Sequence, residues 1–233
     1  MEIQVAAAKI KKYATSQSGD TLEMIERPHG GLSFVLADGQ RSGRGAKAIS
    51  NIVARKAVSL LADGVRDGAV ARAAHDYLFT LRGGQVQSTL DIVSIDLVSQ
   101  TLVLSRNSHC PTVILENEEL RLLDEPCQPI GIYRKTKPII TELPLKPGLA
   151  AVVFTDGVLA AGRRKGQKLD ILAEIDALTA ADFSAQFLAD TLLDRALDLD
   201  EGRPVDDTSI LVVAVFPRQR AQDIRRLTVT FPI

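Results

Sequence analysis

Apolar residues recur in two rhythms along this chain, and the order of those rhythms predicts its architecture. Residues 3–14 and 32–38 read as strands, with a weaker strand at 22–27 and a turn at Pro28-His29-Gly30-Gly31. Two helices come next. Ala46, Ile49, Ile52, Val53, Ala57, Leu60 and Leu61 recur at helical spacing until Asp63-Gly64 stops the run. Val70, Ala73, Ala74, Tyr77, Leu78 and Leu81 repeat the pattern up to Gly83-Gly84. A long β region then covers 88–155, its clearest members being 89–97, 101–106, 112–115 and 120–123, with Asn117-Glu118 as a hairpin turn. Helical spacing returns in 169–178 and 183–197, and the last strands are expected at 209–216 and 224–230.

Helices gathered in two pairs, with strands between them, do not fit the alternating βαβ order of a doubly wound sheet. The strands lie close together in sequence, so antiparallel pairing is the natural connection. Two sheets packed face to face, each covered outside by a helix pair, would bury every apolar stripe. The expected fold is therefore α+β, a four-layer α-β-β-α sandwich. An apolar fraction of 45% over 233 residues is ample for a core. No linker-like stretch or repeat divides the chain, so one domain over 1–233 is expected.

Charge narrows the partners. The formal net charge of −1 provides no general basic field, so neither nucleic acid nor a membrane surface is expected as a partner. Aromatic residues make up 4% and tryptophan is absent, which argues against a base-stacking platform. The start, Met1-Glu2-Ile3-Gln4-Val5, looks like a strand and not a signal or a span, so a cytoplasmic protein is expected. Cys110 and Cys127 lack CxxC or zinc-ligand spacing and are expected as reduced thiols. Cys110 is a poor nucleophile candidate, because its neighbour His109 is adjacent in sequence and adjacent residues rarely orient for that chemistry.

The chemistry lies in aspartates. They occur in Ser18-Gly19-Asp20, Ala37-Asp38-Gly39, Thr155-Asp156-Gly157 and Asp206-Asp207-Thr208-Ser209. Asp38 and Asp156 follow the apolar runs 32–37 and 150–155, and the Asp206-Asp207 pair precedes the run 210–215. A carboxylate at the end of a core strand loses hydration and must be paired, hydrogen-bonded or bound to a cation. Hard oxygen donors with few histidines select magnesium or manganese over zinc. The competing reading is that Asp-Gly is a turn dipeptide. The residues alone leave both open.

In this order, and on strand ends, these residues resemble the metal-dependent PPM (protein phosphatase 2C-like) serine/threonine phosphatases, in particular the compact bacterial subgroup of SpoIIE and RsbX. The likeness spans residues 14–216. It includes Asp38-Gly39-Gln40-Arg41-Ser42-Gly43 leading into a helix, Asn107-Ser108-His109-Cys110-Pro111, Gln128-Pro129-Ile130-Gly131-Ile132 and Phe154-Thr155-Asp156-Gly157-Val158. The resemblance implies the same sandwich and a site of two Mn²⁺ or Mg²⁺ ions. In it Asp38 would bridge the ions and the Gly39 carbonyl would complete one site. Asp156 and Asp206 would hold the second ion, and Asp20 would act directly or through water. Asp38, Asp156 and Asp206 are thus the implied catalytic set, with Asp207 outside the ligand shell. The implied reaction is attack of a metal-activated water on phosphoserine or phosphothreonine of a signalling protein, of the STAS or stressosome type as for RsbX.

The chain departs from the family in two places. Larger PPM phosphatases carry a phosphate-gripping arginine before the first acidic ligand, whereas Ala14-Thr15-Ser16-Gln17-Ser18 precedes Asp20 here. Arg41 stands where SpoIIE-like chains usually have glycine, and it reads either as the replacement for the phosphate contact or as a solvated loop arginine. His29 and His75 are expected at the surface, and His109 is expected to stabilise its hairpin, with a role as general acid for the leaving seryl oxygen as the alternative. The basic run Arg163-Arg164-Lys165-Gly166-Gln167-Lys168 reads either as a solvated loop or as a dock for an acidic partner. Two rivals to the phosphatase remain: a docking module of the same fold that has lost catalysis, and a hydrolase of small phosphate esters.

Overall fold

Nine-residue strand Thr208–Phe216 shows how the layers arise. Leu211, Val213 and Val215 face one side, Ile210, Val212 and Ala214 face the other, and all six are buried. A strand covered on both faces reads as an unbroken apolar run, since side chains alternate with period two. The structure, a computed structural model, describes residues 1–218, 224–230 and 232.

Two five-stranded sheets result, and every strand pair within them is antiparallel. The first has the order β1 (Glu2–Ile10), β10 (Thr208–Phe216), β9 (Ala150–Phe154), β6 (Thr112–Glu116), β7 (Glu119–Leu123). The second has the order β2 (Asp20–Glu26), β3 (Gly31–Asp38), β4 (Leu90–Asp96), β5 (Thr101–Asn107), β8 (Ile139–Pro144). Between the sheets pack Phe34, Leu36, Val93 and Leu104 from one and Ile114, Val153, Leu211 and Val213 from the other. Helices α1 (Gly43–Ala62) and α2 (Asp67–Arg82) cover the second sheet, where Val53, Leu61 and Leu78 meet Val35, Leu90 and Ile92. Helices α4 (Ile171–Thr179) and α5 (Ala185–Leu199) cover the first sheet through Ile175, Leu188 and Leu192. The four expected layers are present. Among the described residues no helix is long and apolar enough to cross a membrane.

Local chemistry explains most boundaries. The Asp170 side chain caps α4 by accepting from the Ala173 N–H, and Ser184 caps α5 by accepting from Phe187 N–H. Asn117 and Glu118 both take positive φ, +52° and +65°, which is the twist a two-residue hairpin needs between β6 and β7.

Three expectations need correction. Residues 224–230 form no strand: Ile224, Leu227 and Val229 are exposed, and neither sheet pairs with the segment. His75 is buried, because it lies on the inner face of α2 with Ala71, Ala74 and Leu78, and its Nδ1 accepts the Gly131 N–H at 3.1 Å. Asp156 does not end a strand. It opens a short helix, α3 (Asp156–Ala160), directly after β9.

The chain changes sheet between β1 and β2 and again between β5 and β6. Those crossings bring residues 11–19 and 108–111 to the end of the sandwich where β3 finishes at Asp38 and β10 begins. Lys12, Asp38, His109, Asp156 and Asp206 line one cavity of about 340 Å³ there.

Candidate functional site

Asp38 is the last residue of β3 and stands opposite Asp20, the first residue of β2. Its backbone is held on both sides. The Asp38 N–H donates to Thr89 Oγ1 at 3.1 Å, while its carbonyl accepts from Ser88 Oγ at 2.7 Å and from the Thr89 N–H at 2.9 Å. Gly39 follows against the start of α1, where an added Cβ would stand 2.0 Å from the Ala46 carbonyl oxygen. Gly157 is confined in the same way, with an added Cβ 2.2 Å from the Asp207 carbonyl oxygen. Neither glycine takes positive φ. The Asp-Gly pairs are therefore sites of close backbone approach and not turns, which removes the competing reading of those dipeptides.

Asp20 lies fully buried behind the cleft. Its Oδ2 accepts from Ser209 Oγ at 2.6 Å and from Thr155 Oγ1 at 2.9 Å, but its buried Oδ1 has no hydrogen-bond partner. Its backbone carbonyl accepts from two ammonium groups, Lys9 Nζ at 2.6 Å and Lys47 Nζ at 2.7 Å. Burial raises the Asp20 carboxyl above the ordinary range, against the pull of Ser209 and Thr155. Asp38 moves further. Burial first, then the charges of Asp20 and Asp156, a hydrogen bond shared with the Asp20 side chain and the charge of Asp206 push it up to about 9. Asp206 is also raised, by burial and then by Asp156. A carboxyl raised this far is the response of crowded carboxylates to burial and to one another.

Among the described residues no three or more histidine, cysteine, aspartate or glutamate side chains are gathered at ion-binding distance. Asp38, Asp156 and Asp206 line the cleft walls. The donor chemistry nevertheless suits a hard divalent cation: all-oxygen ligands, a buried carboxylate oxygen without a partner, and crowded carboxyl groups whose mutual repulsion a cation would relieve.

Other expected residues fall as follows. Asp207 points away from the cleft and ties loops together, its Oδ1 accepting from the Lys12 N–H and its Oδ2 from the Gly19 N–H, both at 2.9 Å. Arg41 is exposed on the cleft wall with φ of +74°, a conformation that favours glycine. His109 reaches the cleft with Nε2 3.7 Å from Asp156 Oδ2, and that carboxylate raises its pKa against the effect of burial. Cys110 is buried, and burial pushes its thiol far up, so it is unsuited to nucleophilic work.

Several contributors were not legible beforehand. Lys12 lines the cleft with Nζ 3.7 Å from Asp206 Oδ1, and its only signal was a lysine within the loop that lacks the family arginine. Thr155 and Ser209 were visible as neighbours of aspartates, but not as partners of Asp20, 135 and 189 residues away. The turn carrying His109 rests on buried Arg106, whose guanidinium donates to the carbonyls of Ser108 at 3.2 Å and Glu125 at 2.7 Å. Opposite Arg106 in the β4–β5 ladder, burial pushes Asp91 up to about 7.

With this geometry in hand, comparison with known proteins is direct. A family model described as Stage II sporulation protein E (SpoIIE) matches residues 28–216. The chain is 22% identical over 214 residues to Stage II sporulation protein E of Bacillus subtilis (strain 168), covering 91% of this chain and 26% of that relative. The chain thus spans about a quarter of that protein's length. The solved PP2C phosphatase domain of SpoIIE from Bacillus subtilis, with a fragment of its regulatory domain, superposes with a TM-score of 0.78 at 22% identity, covering 92% of this chain and 64% of that one. The catalytic domain of the serine/threonine protein phosphatase PstP, solved with two manganese ions, gives a TM-score of 0.69 at 16% identity, covering 92% of this chain and 99% of that one. At these identities the structures establish a shared fold.

Proposed function

The chain belongs to the SpoIIE family, and from that premise we propose that it is a divalent-metal-dependent phosphatase. Its substrate would be phosphoserine or phosphothreonine on a bacterial signalling protein in the cytoplasm, with STAS-domain or stressosome-type proteins as the candidate class. Residues 1–233 would act as one phosphatase domain. One observation carries the reading: the partnerless buried Oδ1 of Asp20 lies across the β2–β3 ladder from Asp38, a carboxyl pushed up to about 9 at the wall of the cleft that Asp156 and Asp206 share.

Asp38, the Gly39 carbonyl, Asp156 and Asp206 would hold two Mn²⁺ or Mg²⁺ ions, with Asp20 acting from behind. Ions bound there supply a water that loses its proton near neutral pH and neutralise charge on the phosphoryl oxygens. The protein's own part is positioning. Ser88 and Thr89 clamp the Asp38 backbone, and Thr155 and Ser209 hold one oxygen of Asp20, leaving the other without a partner. Arg41 offers a guanidinium fork from the cleft wall to a phosphate oxygen pair. Its left-handed backbone is strain of the kind retained at functional sites.

The test is hydrolysis of p-nitrophenyl phosphate and of a phosphothreonine peptide with Mn²⁺, Mg²⁺ or EDTA, for the wild type, Asp38→Ala and Asp156→Ala. Metal-dependent turnover that both substitutions abolish is the expected result. A folded protein with no turnover in either metal would overturn the reading in favour of a docking module.

A further inference from the structure

Three segments that leave the cleft on one side join into a basic ridge. The β1–β2 loop contributes Lys12 and Tyr13, the loop between α5 and β10 contributes Arg203, and the turn after α3 contributes Arg163, Arg164 and Lys168. They are tied to one another. The Tyr13 N–H donates to the Pro204 carbonyl at 3.0 Å, the Arg203 guanidinium lies 5.4 Å from the Tyr13 ring centroid, and Arg164 Nη1 donates to the Arg203 carbonyl at 2.9 Å. Buried Asp200 clamps the base, accepting at Oδ1 from the Gly162 N–H and at Oδ2 from the Val205 N–H, both at 3.0 Å.

The same segments are keyed to the cleft. Asp156 opens the helix that leads into Arg163, Asp206 lies three residues after Arg203, and Lys12 lines the cleft beside Asp206. Tyr13, Arg163, Arg164, Lys168 and Arg203 are all exposed. Glu201 pairs with Lys165. Among the described residues no carboxylate lies within ion-pair distance of Arg163, Arg164, Lys168 or Arg203, although Glu201 also acts electrostatically on Arg203. In a chain of net charge −1 this is a local concentration and not a general field.

We propose that the ridge docks acidic residues flanking the phosphorylated side chain of a protein substrate, an inference that rests on the phosphatase reading above. The phosphate itself belongs in the cleft, so cations beside it meet the neighbouring residues of the chain that carries it. Arginines anchored on tied backbone present forked donors that match carboxylates. A duplex or a lipid surface would need a broad positive face, whereas the chain as a whole carries a net charge of −1.

The experiment measures kcat/KM for two phosphothreonine peptides with one core, flanked by glutamates or by alanines, alongside p-nitrophenyl phosphate. It compares the wild type with Arg163→Glu/Lys168→Glu and, as a milder variant, Arg203→Ala. The wild type is expected to prefer the acidic peptide by about tenfold, as a few rim ion pairs allow. That preference is expected to disappear in the double variant, and also in about 1 M salt, where charges are screened beyond about 3 Å. Turnover of p-nitrophenyl phosphate is expected to stay unchanged. Equal use of both peptides by the wild type, or a preference that survives the double variant, overturns the ridge while leaving the phosphatase standing. Absence of turnover on every substrate overturns the phosphatase reading and the ridge with it.

Discussion

The two ends of the β2–β3 ladder both bury charge, and they handle it in opposite ways. At the far end Arg27 Nη1 meets Asp67 Oδ2 at 3.0 Å, with further bonds to Ser33 Oγ at 3.2 Å and Ser94 Oγ at 3.3 Å, while Nη2 donates to the Val65 carbonyl at 3.1 Å. Ser94 also donates to the other Asp67 oxygen. Each charge there has its answer within the protein. At the near end Asp20 and Asp38 face each other, with one buried oxygen unpaired and one carboxyl pushed up to about 9. A larger cavity, about 440 Å³, lies at the satisfied end. Unmet electrostatic demand at the wall of a cleft, and not cavity size, distinguishes the proposed site; buried Asp91 also keeps an unpartnered Oδ1 and is pushed up to about 7, but it lines neither cavity.

Substitutions at the two ends should separate these roles. The largest effect is expected for Asp38→Asn, with metal-dependent turnover falling on the order of 10³-fold or more, as loss of several kcal/mol of charge stabilisation implies. Denaturant unfolding of the same variant without metal at neutral pH should show no loss of stability, because a carboxyl raised to about 9 is already uncharged there and asparagine keeps its shape. Arg27→Met should do the reverse. Leaving Asp67 buried without its partner costs about 3–5 kcal/mol, while turnover per folded molecule holds. Equal damage to both quantities at both ends would dissolve the distinction.

The pH dependence sharpens it further. Folding raises the Asp38 carboxyl from its ordinary 3.8 to about 9, so between those values the folded state binds more protons than the unfolded one. Its contribution to stability is complete below 3.8 and is lost as pH rises through about 9. Metal-free protein should therefore become less stable on titration across that window, and Asp38→Asn should flatten the curve. Manganese at a hundred times its dissociation constant should add about 2.7 kcal/mol to the wild type by mass action. The smallest expected effect belongs to Arg41→Gly. Relief of the left-handed backbone should stabilise the protein by about 1 kcal/mol, while KM for a phosphopeptide rises. An unchanged KM would remove Arg41 from the phosphate contact.

Legibility from sequence followed the range of the forces involved. The strands 32–38 and 209–216 and both helix pairs were readable, because burial of a face imposes a period and a period is local. Residues 224–230 misled because Leu227 and Val229 alternate with threonines as in a strand, but neither sheet takes them in and both side chains are exposed. His75 misled in another way: its helix was plain, but only the Gly131 segment, 56 residues on, makes its position interior.

For the site, the four acidic motifs were evident as punctuation of apolar runs, since a charge placed against a buried strand is conspicuous in any reading. The sequence by itself thus determined the layers, the helix faces and the candidate carboxylates. Tertiary structure alone decided which strands share a sheet, why Gly39 and Gly157 must lack side chains, that Asp20 stands behind the cleft while Asp207 braces loops, and that Lys12 enters it. The physical reason is that these outcomes depend on distances between residues far apart in the chain. Hydrophobic periodicity sets the faces, but the pairing of strands fixes which polar groups meet, and electrostatic demand exists only once they have met.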